Sequence, residues 1–524
     1  MHLGNVAALF FACCAAAAAA AAAPDATVAV SATVTGAAAD GFSWTGVNMD
    51  FWPATKAKWG EAGALNLDLA NPRLRTLARG LRGALLRLGG SPADFLLYGV
   101  DADACSPANL NRTQPQPGQK YFCPIWDQTA GQCLTLPRWQ ALLEFAADAG
   151  LALVLDLNAC WGRASPEGDM DWSQIDGLLA ATAAASWGAS LWGVEFGNEV
   201  YDNIAPGRYG ASMLRLRGEL DRLWPAPAAA PRVLGPDAWE ADLSPAYYRA
   251  MLNASAQGAA AGGSPNAMHA VTFHDYADDC CAPTSGNVLN VTCLDALFGA
   301  AGWVRDLASE YGVRVWNGEG ALHAYSGEAG LTDTATSTLY YLHALGSYAS
   351  GGFGLFSRQT LVGGDYELVN RTTFLPTPDY FGLLLWRQVV GARALAAAAS
   401  GGGGALRAHA FCAASGGLAV LLVNFAAAAP LSVALQWPAG SGGGGGGAQQ
   451  QQLYLLTGVP GYSDAEGASA PAFRLALNGE VLALGADGQL PALAPVALPP
   501  GAPVALPPAS AAFVVLPGAQ AVCA

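Results

Sequence analysis

The chain has 524 residues, of which 52% are apolar and 12% charged, with 15 tryptophans. That is enough apolar surface for one large domain and a smaller one, and too little charge for a disordered chain. The formal net charge is −15, with three lysines (Lys56, Lys58, Lys120) and no basic cluster, which argues against nucleic acid, anionic membranes and densely sulfated polysaccharides as partners, since all need a positive footprint. Residues 1–23 form an apolar run ending in small side chains, the pattern of a secretory signal peptide cut near Ala23. The n-region lacks Lys and Arg, so a membrane anchor is the competing reading. No later run resembles a spanning helix, and any other membrane association is expected to be peripheral. A secreted, cell-wall or vacuolar–lysosomal location follows as an expectation. Sequons at Asn111, Asn253, Asn290 and Asn370 suit export. Of eleven cysteines, Cys13 and Cys14 leave with the signal. The nine that remain are odd in number, so at least one thiol is expected free or paired between chains, and the rest in structural disulfides.

Residues 24–40 include TVAVSATV, a strand-like segment suited to pairing with the C-terminal region. Short apolar runs then recur with helix-like stretches between them, and predict strands at 41–49, 83–90, 151–157, 191–196, 232–236, 270–276, 313–318 and 353–358. Eight strands alternating with helices over residues 41–390 predict an α/β fold, a (β/α)8 barrel. One connection, residues 99–134, carries Cys105, Cys123, Cys133 and several prolines, and is expected to be a disulfide-pinned loop. Asp278, Asp279, Cys280 and Cys281 are expected in a rim loop, and no twelve-residue calcium loop is present. Residues 391–524 change to β-like segments (LAVLLVNF, APLSVALQW, AAFVVLP) joined by Gly, Pro and Gln tracts. They predict an all-β domain, a sandwich.

In a barrel of this kind reactive groups sit at the C-terminal strand ends. Glu199, in WGVEFGNEV, follows the fourth predicted strand and Glu319, in RVWNGEG, the seventh. Two carboxylates about 5–5.5 Å apart are what retaining glycoside hydrolysis requires: one protonates the leaving oxygen while the other attacks the anomeric carbon. No G-x-S-x-G elbow points to a Ser/His/Asp hydrolase.

Asn198-Glu199 and Glu319 match the pattern of the retaining barrel glycosidases of clan A. The ordered set VNMDFWP, NPRLRTLARGL, LLRLGGSPADFLLY, LDLNA, WGVEFGNEV, VLGPD, VTFHDY, SRQTLVGGDYELVN and PTPDYFGLLLW covers most of residues 40–390. It resembles glycoside hydrolase family 79, the heparanases and their plant relatives. The resemblance implies a β-glucuronidase with Glu199 as acid/base and Glu319 as nucleophile, acting on a carbohydrate that contains β-linked glucuronic acid, without cofactor or metal. It implies that Asp50, Ser91 and Asn198 bind sugar hydroxyls, and that His274 and Tyr276 flank Glu319 and keep it ionised. Gln359, Gly364, Asp365 and Tyr366 would hold the uronate carboxylate, through backbone N–H groups and the Tyr366 hydroxyl and without a neighbouring lysine. Tyr325 would contact glycan at the rim, where His323 makes the chain one residue longer than in close relatives. Arg87, in RLGG, could support the barrel mouth or touch sugar. The resemblance further implies a Cys412–Cys523 disulfide. The acidic chain makes heparan sulfate a poor substrate, and plant-type glucuronoglycans or small glucuronides suit it better. Two alternatives stay open, a non-catalytic glycan-binding relative and a clan A glycosidase for a neutral sugar.

Overall fold

The computed structural model describes residues 23–38, 40–112, 132–160, 162–163, 167–199, 203–240, 243–256, 265–439, 441, 450–459, 474–519 and 523. The expected signal segment up to residue 22 and Cys123 lie outside them. Eight parallel strands close into a barrel in chain order: β1 (Thr45–Asp50), β2 (Leu85–Gly89), β3 (Ala152–Leu157), β4 (Leu191–Phe196), β5 (Arg232–Trp239), β6 (Ala270–Tyr276), β7 (Arg314–Ala321) and β8 (Phe356–Arg358). All eight expected strands are present, with ends shifted by a few residues. The first starts later than expected because residues 42–45 turn, with Thr45 N–H donating to Phe42 O at 3.0 Å and Ser43 and Trp44 at positive φ.

That turn places Phe42 in an apolar plug with Leu85, Val154, Leu234, Ala270, Trp316 and Leu355. Alternate residues of a strand share a face. Two residues beyond Leu85 and Val154, the inward positions are therefore Arg87 and Asp156, both essentially inaccessible to solvent. The plug thus gives way to a charged layer nearer the strand ends. Two register irregularities complete that layer. The β6–β7 pairing skips Gly318 and the β5–β6 pairing shifts between Gly235 and Ala238. An extra residue of this kind reverses which side chains face inward, and it turns Glu319 and Asp237 toward the barrel axis. Glycine is needed at 318, since a Cβ there would lie 2.9 Å from Asp237 Oδ1.

The C-terminal region forms an eleven-stranded sheet that also includes Ala26–Ala37, paired antiparallel to Val390–Gly401 and parallel to Leu431–Gln436. Strand Leu418–Asn424 is buried along its whole length. Val420 and Leu422 join a core with Val28, Val433, Val504 and Val514. Leu421 and Val423 belong to the main core shared with the barrel helices, where Trp386 meets Phe411 and Phe513 edge-on. Burial on both faces explains why LAVLLVNF reads as a continuous apolar run and not as an alternating one. Among the described residues no helix is long and apolar enough to cross a membrane.

Disulfides join Cys105 to Cys133 across the long β2–β3 connection, Cys280 to Cys293 in the rim region, and Cys412 to Cys523. The last closes 111 residues. Cys412→Ser/Cys523→Ser is expected to destabilise the folded chain by up to about 4–5 kcal/mol, the loop-closure entropy returned to the unfolded state. The check is the denaturation midpoint against wild type under oxidising conditions, with the difference vanishing in excess reductant.

Candidate active site

A cleft of ≈ 420 Å³ opens at the C-terminal ends of the barrel strands. It is lined by Asp50, Ser91, Asn198, Glu199, Tyr276, Glu319, Tyr325, Gln359 and Tyr366, all expected from the sequence, and by Trp52, Lys56, Trp239 and Ser326, which were not. The R-L-G-G-S turn after β2 is shaped by its contents. A Cβ at Gly90, whose φ is +77°, would lie 2.5 Å from the Asp50 carboxyl carbon.

Glu199 lies three residues past β4 in the left-handed region, at φ 56°. Two acidic residues hold it there, since Asn198 N–H donates to Asp94 Oδ2 at 2.9 Å and Glu199 N–H to Asp237 O at 3.0 Å. Both carboxylate oxygens of Glu319 accept hydrogen bonds, one from the Tyr276 hydroxyl and the other from Arg87 Nη1 at 2.9 Å. An oxygen of Glu199 and one of Glu319 lie within 4.8 Å of each other. Carboxyls that converge this closely leave no room for the water an inverting enzyme places between them. The Glu199 side chain is 19% exposed against 9% for Glu319, so solvent reaches it more readily.

Arg87 is the centre of the buried layer. Its guanidinium contacts Glu195 at 2.5 Å, Glu319 at 2.9 Å, Asp237 at 3.3 Å and Asp156 at 3.5 Å, and donates to Asn198 Oδ1 at 2.9 Å. It therefore supports the site from beneath and does not line the cleft. With its Oδ1 occupied, Asn198 has its amide N–H groups left to donate to a ligand. Burial, reinforced by Glu319, pushes the Asp50 carboxyl up to about 7. Burial and then Asp237 push Glu195 up to about 8, and burial raises Asp94 to about 7. Asp237 goes the other way. Burial opposes its ionisation, but Arg87 and then His274 overcome that and hold it below the usual carboxylate range.

His274 lies beside Glu319 as expected, but its hydrogen bonds go to other carboxylates. It is Glu319's register neighbour across β6 and β7, yet its Nδ1 bonds Glu199 Oε1 at 2.7 Å and its Nε2 lies 3.4 Å from Asp237 Oδ1. Burial disfavours the imidazolium, but Glu319, Asp237 and Glu199 together hold the ring's pKa well above its ordinary value. His274 therefore carries a proton between the acids, and Tyr276 is the residue that bonds Glu319. Tyr276 is itself held by Trp239, stacked at 5.3 Å. Ligand atoms of His274 and the two glutamates lie close enough together to hold a metal ion, but a protonated His274 that donates to Glu199 has no lone pair on that nitrogen to offer one.

The expected carboxylate pocket is also rearranged. Gly364 N–H donates to Lys58 O and Asp365 N–H to Ser326 O, while Asp365 itself pairs with Lys58 at 2.9 Å and Arg371 at 3.2 Å. These two residues brace the pocket wall and have no backbone donor left over for a ligand. Tyr366 does line the cleft, and its hydroxyl accepts from Gln359 Nε2 at 3.4 Å. No lysine was expected here, yet Lys56 is one of the lining residues. Asp278 sits in the rim as expected, with its Oδ1 accepting from Ala324 N–H at 2.6 Å. Next to that anchor, Tyr325 stands 78% exposed at the mouth.

Residues 25–346 match the model of the glycosyl hydrolase family 79 N-terminal domain, which spans more than half of the chain. The chain belongs to glycosyl hydrolase family 79. It is therefore a glycoside hydrolase. This family 79 enzyme is 25% identical over 410 residues to heparanase-like protein 2 of Arabidopsis thaliana, covering 74% of this chain and 71% of that one. It is 25% identical over 507 residues to baicalin-beta-D-glucuronidase of Scutellaria baicalensis, covering 90% and 88%. Among solved structures, the fold is similar to a 4-O-alpha-L-rhamnosyl-beta-D-glucuronidase from Fusarium oxysporum, with TM-score 0.59, 14% identity, and coverage of 94% and 100%. It is also similar to a family 51 arabinofuranosidase from Xanthomonas axonopodis pv. citri, with TM-score 0.57, 16% identity, and coverage of 93% and 98%.

Proposed function

We propose that this family 79 enzyme is an exported, retaining β-glucuronidase, endo- or exo-acting, that hydrolyses β-glucuronosyl bonds in glycans or small glucuronides. The convergence of Glu199 and Glu319 to within 4.8 Å carries the reading. Glu319, deprotonated and held by Arg87 and Tyr276, attacks the anomeric carbon and forms a glycosyl–enzyme ester. Glu199 gives its proton to the departing oxygen, then takes one from the water that releases the sugar. Asn198 is placed to donate to the sugar's 2-hydroxyl. The secretory signal pattern and the sequons support an extracellular, cell-wall or vacuolar–lysosomal location.

Tyr366 supports the choice of a uronic acid. Its hydroxyl is oriented by Gln359, it is 4% exposed, and its own proton has no acceptor among the described residues. A buried donor of this kind suits a ligand anion. A panel of 4-nitrophenyl glycosides tests the proposal, with the β-glucuronide expected to be preferred over the β-glucoside, β-xyloside and α-arabinofuranoside. Tyr366→Phe is expected to reduce kcat/KM on the glucuronide by roughly 1.5–3 kcal/mol in transition-state binding and to leave the glucoside nearly unaffected. Equal losses on both, or a wild type preferring a neutral sugar, would point to the neutral-sugar alternative.

A further inference from the structure

The cleft wall is acidic, because Asp50, Glu199 and Glu319 all line it. A substrate carboxylate entering it meets the Glu319 carboxylate, and the buried Arg87 cation is already engaged by four acids. The Gly364 and Asp365 N–H groups are occupied as well. Tyr366 is then the donor that these groups leave to an anion, and a positive charge at the surface of the cleft would add to it.

Lys56 supplies that charge. Among the described residues that line the cleft it is the one lysine or arginine. Its ammonium stands 4.2 Å from the centroid of the Trp52 ring, and the Trp52 indole is fixed by donating to Asp50 Oδ2 at 3.0 Å. A turn closed by Lys56 N–H to Pro53 O at 2.9 Å and Trp59 N–H to Lys56 O at 3.1 Å anchors the backbone. The two neighbouring lysines differ in one respect. Lys58 is committed to Asp365 and to the Gly327 carbonyl, whereas among the described residues no carboxylate lies within ion-pair distance of Lys56. Asp50 is already bonded by Trp52 and Gln359, so it does not claim this charge.

We propose that Lys56 is a specificity-determining residue of this chain, its ammonium held over Trp52 at the cleft to pair with the carboxylate of the glucuronosyl unit. The inference rests on the glucuronidase reading above. It adds to Tyr366 a counter-charge that an acidic cleft otherwise lacks, and a salt-sensitive contribution to substrate capture.

The test uses the full-length protein with 4-nitrophenyl β-D-glucuronide, whose aglycone carries no charge in the intact substrate, and the matching glucoside. Lys56→Met keeps the length of the side chain and removes the charge. It is expected to lower kcat/KM on the glucuronide by about tenfold or more, mainly through KM, and to change the glucoside by less than about twofold. The inhibition constant of free D-glucuronate should rise in parallel, while that of D-glucose stays constant. Lys56→Arg should restore most of the loss, and 0.5 M salt should reduce wild-type activity more than that of K56M. If wild type turns over the glucuronide and K56M matches it, or K56M loses only on substrates whose aglycone is already charged, the assignment of Lys56 falls and the glucuronidase reading stands. If wild type does not turn over the glucuronide, both fall.

Discussion

Glu319→Gln is expected to lower kcat/KM on a β-glucuronide by about 10⁴-fold or more, because the amide cannot form the glycosyl–enzyme ester. The effect should be close to independent of the leaving group. Glu199→Gln should behave differently. Its loss should fall in the range of about 10²–10⁴-fold for natural leaving groups and shrink for 4-nitrophenolate, which departs without protonation. Azide separates the two roles. In Glu199→Ala it replaces the base-activated water and should yield the β-glycosyl azide. In Glu319→Ala it enters from the nucleophile's face and should yield the α-azide. NMR of the products decides, and the opposite pairing would exchange the assignments. Both variants should remain folded, since each carboxylate lies at the rim of the charge cluster and Arg87 keeps its other partners.

The second large effect is on stability. Arg87→Met is expected to cost about 3–5 kcal/mol at neutral pH, as it leaves Asp156, Glu195, Asp237 and Glu319 buried without their shared cation. The loss depends on pH with a definite sign. Asp50 and Asp94 titrate near 7 and Glu195 near 8 in the folded protein, above the ordinary value of about 4 that they have unfolded. Folding therefore takes up protons in that window, and stability falls as pH rises from about 4 to about 8. His274, raised in the fold by its acidic neighbours, acts in the same direction above its unfolded value. Wild type should unfold at a lower temperature at pH 8 than at pH 5. In R87M the difference should widen, because ionisation of the cluster is no longer offset. Differential scanning calorimetry across this range checks it, and a pH-independent gap between the two proteins would contradict the buried-charge account. R87M should also lose kcat, since Glu319 loses the guanidinium that bonds and orients one of its carboxylate oxygens. Arg87→Lys offers one point charge where the guanidinium bridges several carboxylates, so it should recover only part of either loss.

A buried pair of histidines acts in the opposite sense at lower pH. His343 Nδ1 lies 3.0 Å from His409 Nε2 where a barrel helix meets the C-terminal sheet, with Asp295 and Arg407 beside them. Burial lowers the pKa of both rings. Their contribution is present above the unfolded value of about 6.5 and is lost as pH falls below it. The two windows overlap below about pH 6.5, so optimal stability should lie where the opposing slopes cancel, on the acidic side of neutrality.

Much of this architecture is legible in local sequence. Largely apolar strand runs of five to nine residues, separated by helical stretches, specify alternating elements, and alternating elements of that length close most readily into a parallel barrel. The position of Glu199 and Glu319 at strand ends follows from the same pattern, and so does a β-domain built from LAVLLVNF and AAFVVLP. Residues far apart in sequence settle the rest. Arg87 meets Glu319 across 232 positions and Asp50 meets Gln359 across 309, and neither separation leaves a trace in periodicity. The bulge at Gly318 turns Glu319 inward only because β7 must pair with β6 in a particular register. His274 bonds Glu199 because Glu199, at positive φ after β4, reaches toward the β6 end, a backbone detail that sequence pattern does not encode. Lys56 reads as an ordinary surface cation in DFWPATKAKWG. It becomes part of the cleft because Trp52, tied to Asp50, offers its ring beneath the ammonium. Local sequence determined which elements form and which residue types end them. Tertiary packing decided which charges share a low-dielectric space, and hence which groups are paired, which hold protons, and which remain to meet a substrate.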